Sequence, residues 1–203
     1  MSLPQPERIA IDSESTRLEP GAEYTLTEIA VISSVHGPRY VTPVQPAYGD
    51  FADWEDHLCL PRGLLATAPT PDQVRRTVRA LTFCETVLVW NAAHEQKVLP
   101  FLSEKSESGR PLHYVQDLMI RCAPILRPWN SYFGAYQWPS LADAARDFGL
   151  GFALGGHHTA AADAEMLLQI WRLLEAHPIH RGESFDRKPH LFLVDQTDQT
   201  IPF

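Results

Sequence analysis

The sequence has 203 residues, of which 44% are hydrophobic and 21% charged, and its formal net charge is −8. This length suits one domain with or without an appended tail, and the composition is ordinary for a soluble globular protein. The negative charge argues against a surface that follows phosphates along a groove, so any nucleic-acid ligand is expected to have a local footprint. No apolar run approaches the roughly 18 residues of a membrane span, so no membrane partner is expected.

The N-terminus and the cysteines indicate a cytoplasmic protein. No basic segment followed by an apolar one opens the chain, so no signal peptide is predicted. The cysteines, Cys59, Cys84 and Cys122, are widely spaced and lack metal-ligand spacing. Reduced thiols are the simplest interpretation of such a pattern.

The first part of the chain is rich in strand patterns. Three strands are predicted: RIAID at 8–12, EYTLTEIAVISS at 23–34 and RYVTPVQP at 39–46. Turn signals at Pro20-Gly21 and Gly37-Pro38 separate them. This part of the chain therefore predicts an antiparallel meander.

A helix is predicted next, over residues 70–83. Thr70 can cap its N-terminus, Pro71 suits the first helical position, and Gln73 completes a capping box. Its apolar stripe consists of Val74, Val78 and Leu81.

Strands and helices then alternate. TVLVWN at 86–91 and LHYVQDL at 112–118 are predicted strands, and HEQKVLPFL at 94–102 is a helix that Pro100 must kink or end. Three further helices are predicted at 118–126, at 140–149 with Ser140 as cap and Gly149 as stop, and at 159–176. This order predicts an α/β fold: a central mixed five-stranded sheet, with a three-strand antiparallel part plus parallel strands, flanked by helices.

The pattern ends after Ala176. Residues 1–177 are predicted to form one domain, and 178–203 form a polar tail with one apolar run, LFLV. The tail could be docked on the domain, add an edge strand or bind a protein partner, and the sequence leaves these alternatives open.

Two acids follow the first apolar strand. Asp12 and Glu14 point to the same face of that strand, because side chains alternate along it. Two carboxylates this close repel each other unless a cation lies between them. The plainer interpretation, a polar strand exit into a turn, is the commoner one for such a pair alone.

Further polar residues lie at the edges of buried elements. Asp163 lies on the apolar stripe of the last helix, where a carboxylate must be capped, paired or metal-bound, although it also suits the helix dipole. His158 falls in the loop that leads to this helix. Asn91, His94 and Glu95 come just past the fourth strand.

In chain order, these pieces resemble the three exonuclease motifs of the DnaQ-like (DEDDh) 3′-5′ exonucleases, a family with the ribonuclease H-like fold. The family's first motif, Asp-x-Glu-Thr-Thr-Gly-Leu, is similar to DSESTRL at 12–18. The second, His-Asn-x-x-Phe-Asp-x-x-x-Leu, is similar to WNAAHEQKVL at 90–99. The third, His-x-Ala-x-x-Asp-Ala, is matched in full by HTAAADA at 158–164.

Other segments extend the resemblance over about residues 8 to 176. TEIAVI at 27–32 is similar to the family's second strand, SLADAARDFGL at 140–150 to a family helix, and Asp117 lies where the family commonly has Asp-Thr. The departures are Arg17 for glycine, Trp90 for histidine, His94 for phenylalanine and Glu95 for aspartate. The longer carboxylate of Glu95 can still reach a metal through water.

The resemblance implies a two-metal exonuclease that uses Mg²⁺ or Mn²⁺ and releases nucleoside 5′-monophosphates from single-stranded DNA or RNA 3′ ends. It implies that Asp12 bridges both metals, that Glu14 and Asp163 complete the first metal's site, and that Glu95 holds the second. His158 would be the general base. Residues expected to contact the terminal nucleotide or its surroundings are Ser15, Thr16, Arg17, Leu18, Asn91 and His94.

Other functions are consistent with the same residues. Loss of the second metal at Glu95 would leave a nucleic-acid-binding or scaffold module. A proofreading subunit bound to a polymerase through the tail, or a homodimer, is a further alternative. Arg75, Arg76 and Arg79 are interpreted as a solvated helix face rather than a phosphate track. The aromatic stretch at 127–140 is expected to pack a loop onto the core more readily than to stack bases.

Overall fold

The computed structural model of the protein describes residues 7–18, 25–83, 85–127, 129–131, 134–151 and 159–176. The predicted five-stranded sheet is present and has the strand order β3-β2-β1-β4-β5. Its strands are β1 (Arg8–Thr16), β2 (Thr25–Ser33), β3 (Gly37–Pro43), β4 (Thr86–Val89) and β5 (Tyr114–Asp117). The first three strands pair antiparallel, and β4 and β5 run parallel to β1. The predicted fold class is therefore confirmed.

Seven helices lie among the described residues. They are α1 (Phe51–His57), α2 (Leu64–Thr67), α3 (Pro71–Thr82), α4 (Ala92–Val98), α5 (Leu118–Leu126), α6 (Leu141–Asp147) and α7 (Ala160–Ala176). A 3-10 turn at Pro100–Ser103 follows α4, as the proline predicted. Within the aromatic stretch, two short strands, β6 (Trp129–Asn130) and β7 (Ala135–Tyr136), pair antiparallel.

The predicted helix signals are present. The Thr70–Gln73 capping box begins α3, and the Ser140 hydroxyl accepts the Asp143 N–H, at 3.0 Å, at the start of α6. Gly149 follows α6 with a φ of +70°, a conformation that glycine adopts readily. On α3, Arg75 pairs with Asp72 and Arg79 with Glu104, which fits a solvated face.

Each face of the sheet carries its own apolar core. On one face, α7 packs its buried stripe against Ala10 of β1 and Ala30 of β2; the stripe includes Leu167, Ile170 and Leu174. On the other face, Ile9 and Ile11 of β1 pack with residues of α3, α4 and the 3-10 turn. Alternation along β1 therefore sends its side chains to two different layers of helices.

The segment between β3 and α3 was not assigned by the sequence, and it contains α1 and α2. Trp54 of α1 is fully buried, and its indole N–H donates to the Tyr48 carbonyl at 2.6 Å. The buried Glu55 carboxylate accepts the backbone N–H groups of Gly63 and Leu65, both at 2.9 Å. These contacts join the two short helices into one unit beside the sheet.

Cys59 is exposed, Cys122 is buried, and both are free thiols. Burial raises the pKa of Cys122 to about 12, so this thiol stays protonated. Cys84 and the tail at 178–203 lie outside the residues that the structure describes, so the domain boundary stays a prediction. Among the described helices, none has the length and apolar character needed to span a membrane.

Candidate metal centre

Three carboxylates converge where β1 meets α7. Asp12, Glu14 and Asp163 each offer an oxygen atom, and these three atoms lie within 4.8 Å of one another. Asp12 and Glu14 share the face of β1 that carries Ala10, and this is the face that α7 covers. The structure thus brings together three of the four acids that the sequence singled out.

The start of α7 fixes the third carboxylate. The Thr159 hydroxyl accepts the Ala162 N–H at 3.2 Å, and the Thr159 carbonyl accepts the Asp163 N–H at 3.0 Å. Asp163 therefore lies in the first turn of α7, where the helix dipole favours a negative charge. His158, the predicted general base, lies outside the described residues, and its role stays a prediction.

The electrostatics of the trio favour a bound cation. Burial, and then the charges of Glu95, Asp163, Glu14 and Glu28 in that order of importance, together raise the pKa of Asp12 to about 9. A divalent cation would offset this repulsion, and carboxylate oxygens are the ligands that Mg²⁺ and Mn²⁺ prefer. The donor set therefore fits the metals that the resemblance implies.

Glu95 lies near Asp12, Glu14 and Asp163, but it is not part of the group whose ligand oxygen atoms lie within 4.8 Å of one another. Its carboxylate is buried, and Oε2 accepts the Ser13 hydroxyl at 2.8 Å. Burial raises the pKa of Glu95, the Ser13 hydrogen bond lowers it and the charge of Glu14 raises it, and the net result is a pKa of about 8. Glu95 is thus coupled electrostatically to both acids of β1, although it comes from a different helix.

Two caps position α4 and hence Glu95. The Asn91 side chain accepts the His94 N–H at 3.2 Å, so this predicted substrate residue acts as the N-cap of α4. The Asp117 carboxylate accepts the Ala92 N–H at 2.8 Å and the Ile120 N–H at 3.2 Å. Asp117 therefore ties the beginning of α4 to the beginning of α5, which places both at one edge of the sheet.

Glu28 is an acid that the sequence did not assign to the site. It lies directly across from Glu14 in the β1–β2 pairing, and the backbone N–H of Ala160 at the start of α7 lowers the pKa of its carboxyl. Burial, and then the charge of Asp163, raise its pKa. The signal that could have found Glu28 is the register of the meander, because it puts residues 14 and 28 side by side.

The residues predicted to contact substrate lie at the end of β1. Ser15 and Thr16 pair with Leu26 and Thr25 after a shift in register, and Arg17 is exposed. Leu18 packs close to the turn before α1, since a Cβ placed on Gly49 would lie 3.1 Å from Leu18 Cδ1. His94 is exposed on α4. Contacts of all these residues with substrate stay predictions.

No protein-family model and no curated protein matches the sequence. Solved structures of exonuclease I match the fold. The structure of the E. coli enzyme with a dT13 oligonucleotide has a TM-score of 0.60 and 15% identity, and the match covers 87% of this chain and 42% of that one. A product-bound exonuclease I has a TM-score of 0.59 and 14% identity, and the match covers 87% of this chain and 45% of that one.

A complex named ExoI/SSB-Ct matches with a TM-score of 0.58 and 14% identity, over 87% of this chain and 42% of that one. This chain thus spans less than half the length of the structures that it matches. At such low identity the similarity shows the fold, which is the ribonuclease H-like fold of these exonucleases. The family that the motifs resemble is suggested by this fold.

Proposed function

We propose that the protein is a metal-dependent 3′-5′ exonuclease that hydrolyses terminal phosphodiester bonds and releases nucleoside 5′-monophosphates. The observation that carries the proposal is the convergence of Asp12, Glu14 and Asp163 on a fold shared with exonuclease I. The three motifs that resemble the DnaQ-like exonucleases supply these same residues, in the same order along the chain.

The protein's own residues would divide the work as the resemblance implies. Two divalent ions would neutralise the phosphodiester, activate a water molecule and stabilise the leaving oxygen. Asp12 would contact both ions, Glu14 and Asp163 would hold one, and Glu95 would hold the other. His158 would accept the proton of the attacking water, since its ordinary pKa suits neutral pH.

The substrate that we propose is a single-stranded DNA or RNA 3′ end. In two of the matching structures, exonuclease I is bound to dA16 and dT13 oligonucleotides. In this chain, residues Ser15 to Leu18 follow the acidic pair at the end of β1. Their backbone donors and the Leu18 side chain would contact the terminal sugar and base there. Arg17 is exposed beside them and would meet a phosphate.

A nucleic-acid-binding module without catalysis is the alternative. It is favoured by one observation: Glu95 lies beside the carboxylate trio rather than within its 4.8 Å spacing. Such a module would bind single strands and leave them uncut in the presence of Mg²⁺ and Mn²⁺.

The deciding experiment uses 5′-labelled single strands of DNA and RNA with Mg²⁺, Mn²⁺ or EDTA. We expect a ladder of shortened products and free nucleoside 5′-monophosphates with metal, and none with EDTA. Asp12→Asn should abolish both hydrolysis and the rise in thermal stability that metal binding gives. His158→Ala should lower turnover by roughly 10² to 10⁴ and leave metal binding nearly intact.

The matched control is Asp56→Asn, because Asp56 is an exposed acid that pairs with Arg62 on the surface. It should keep full activity. Activity that resists EDTA, or efficient cutting of circular single-stranded DNA, would contradict the proposal.

A further inference from the structure

One buried hydrogen bond links two of the predicted motifs at the site. Ser13 lies between Asp12 and Glu14 in β1, and its hydroxyl donates to Glu95 Oε2 at 2.8 Å. Ser13 is 7% exposed and Glu95 is 4% exposed, so water does not compete freely for this bond. The two residues are 82 positions apart in the sequence.

The strand geometry explains why Ser13 can meet Glu95. Side chains alternate along β1, so Ser13 points away from the face that holds Asp12 and Glu14. It shares the opposite face with Ile9 and Ile11, whose apolar cluster includes Ala92 of α4. Glu95 lies one turn further along α4, so its carboxylate approaches β1 from the side opposite α7.

We propose that Ser13 is a positioning residue that holds the Glu95 carboxylate at the end of β1, where Glu95 can bind a second divalent ion. This inference rests on the proposed function. Ser13 occupies Oε2, and Glu95 Oε1 makes no hydrogen bond to any described residue, so it is available to a cation.

The length of the glutamate side chain is what makes this bond necessary. A glutamate has one more rotatable bond than an aspartate, so its carboxylate can occupy more positions. A donor fixed in the rigid strand β1 selects one of those positions. Groups that orient metal ligands in this way typically contribute 10-fold to 100-fold to metal affinity.

The test measures Mn²⁺ binding to the full chain by titration calorimetry and electron paramagnetic resonance, without nucleic acid. The parent should bind two ions. Ser13→Ala should lower the affinity for the second ion by about 10-fold to 100-fold and leave the affinity for the first ion nearly unchanged. If Ser13→Ala does not fold, Ser13→Cys places a weaker donor at the same position, on a slightly larger side chain, and should lower the affinity for the second ion at least about threefold. If a folded Ser13 variant binds the second ion with unchanged affinity, the inference is overturned.

The matched control is Ser33→Ala. Ser33 is also a buried serine that donates to a glutamate, Glu7 Oε1 at 2.6 Å, but it lies at the other end of the sheet. It should lose thermal stability and keep both ions. A Ser13→Ala variant that behaves in the same way would show that Ser13 has a purely structural role.

A double-mutant cycle tests whether Ser13 acts through Glu95. In a Glu95→Asp background the shorter carboxylate does not reach Ser13, so Ser13→Ala should change the second ion's affinity by less than about threefold. Equal effects of Ser13→Ala in both backgrounds would overturn the inference. If Asp12→Asn also leaves Mn²⁺ binding unchanged, the proposed function itself fails, so the two failures are distinguishable.

Discussion

At the scale of single residues, Asp12 is placed where a carboxylate is least stable without a partner ion. It lies between the charges of Glu95, Asp163 and Glu14, and burial removes much of the water that would otherwise solvate it. In the unfolded chain the same group has an ordinary pKa near 3.8. The folded protein without metal therefore holds a proton on Asp12 that the unfolded chain releases.

This difference predicts how stability depends on pH. Because the folded pKa of Asp12 is raised to about 9, the metal-free protein should lose stability as pH rises from about 4 to about 9. Mg²⁺ competes with that proton, so its stabilising effect should be larger at pH 8 than at pH 6. Thermal unfolding with EDTA and with saturating Mg²⁺ at both pH values measures this.

Asp12→Asn is the companion variant for that measurement. With EDTA at pH 8 it should be more stable than the parent, on the order of 1 kcal/mol, because asparagine needs no proton to be buried, whereas Asp12 must take one up on folding. It should also flatten the pH dependence. A metal-free parent that gains stability from pH 6 to pH 8 would contradict this assignment of Asp12.

At the scale of elements, the site depends on how α7 and α1 are held against β1 and its end. The Ala160 N–H lowers the pKa of Glu28 of β2, so a carboxylate from the sheet lies near the N-terminus of the helix that carries Asp163. On the other side, Gly49 lets the turn before α1 approach Leu18. The position of Leu18 is therefore linked to an element that has no motif of its own.

Gly49→Ala tests this link. Gly49 has a φ of +81°, and an added Cβ would lie 3.0 Å from Trp54 Nε1 and 3.1 Å from Leu18 Cδ1. The substitution should cost about 1–2 kcal/mol for the left-handed backbone and about 1–3 kcal/mol more for the close contacts. Because Leu18 must move, KM for a single-stranded oligonucleotide should rise.

The control is Gly109→Ala. Gly109 has a φ of +76° and no atom within 4 Å of an added Cβ, so this variant carries only the backbone strain. It should unfold at a somewhat lower temperature and keep the parent's KM. If the two substitutions changed KM equally, the contact between Gly49 and Leu18 would have no influence on substrate binding, and the predicted link would be wrong.

At the scale of the whole molecule, a net charge of −8 and a compact acidic site imply that, under the proposed function, the protein would contact nucleic acid over a short length. The cations of α3 are partly engaged with acids, as Arg75 is with Asp72 and Arg79 with Glu104. Under the proposed function, binding would therefore rest on the terminal nucleotides and the metal ions.

A short footprint predicts weak dependence on substrate length and salt. KM for a trinucleotide should lie within about threefold of KM for a 20-nucleotide strand, because one or two phosphate contacts saturate early. KM should rise less than about tenfold between roughly 50 and 200 mM NaCl at fixed Mg²⁺, compared with the 10³ or more expected for six or more phosphate contacts. A KM that keeps falling with strand length would reveal a long basic groove.

The sequence by itself determined the five strands of the main sheet, the longer helices and the placement of Asp12 and Glu14 as a pair. These features follow from local rules: alternation puts Asp12 and Glu14 on one face, and the capping box of Thr70 and Gln73 begins α3. The apolar spacing of α7 also placed Asp163 on a buried stripe. Periodicity and capping act over a few residues, so they can be read without knowing the fold.

Only the tertiary structure decided which distant groups meet. Glu28 reaches the site through the register of β2 against β1, and Ser13 meets Glu95 across 82 positions. The helices α1 and α2 are too short to form on their own, and their stability comes from the buried Trp54 and the paired Glu55 carboxylate. Such contacts depend on the packing of separate elements, because hydrogen bonds and burial act through space rather than along the chain.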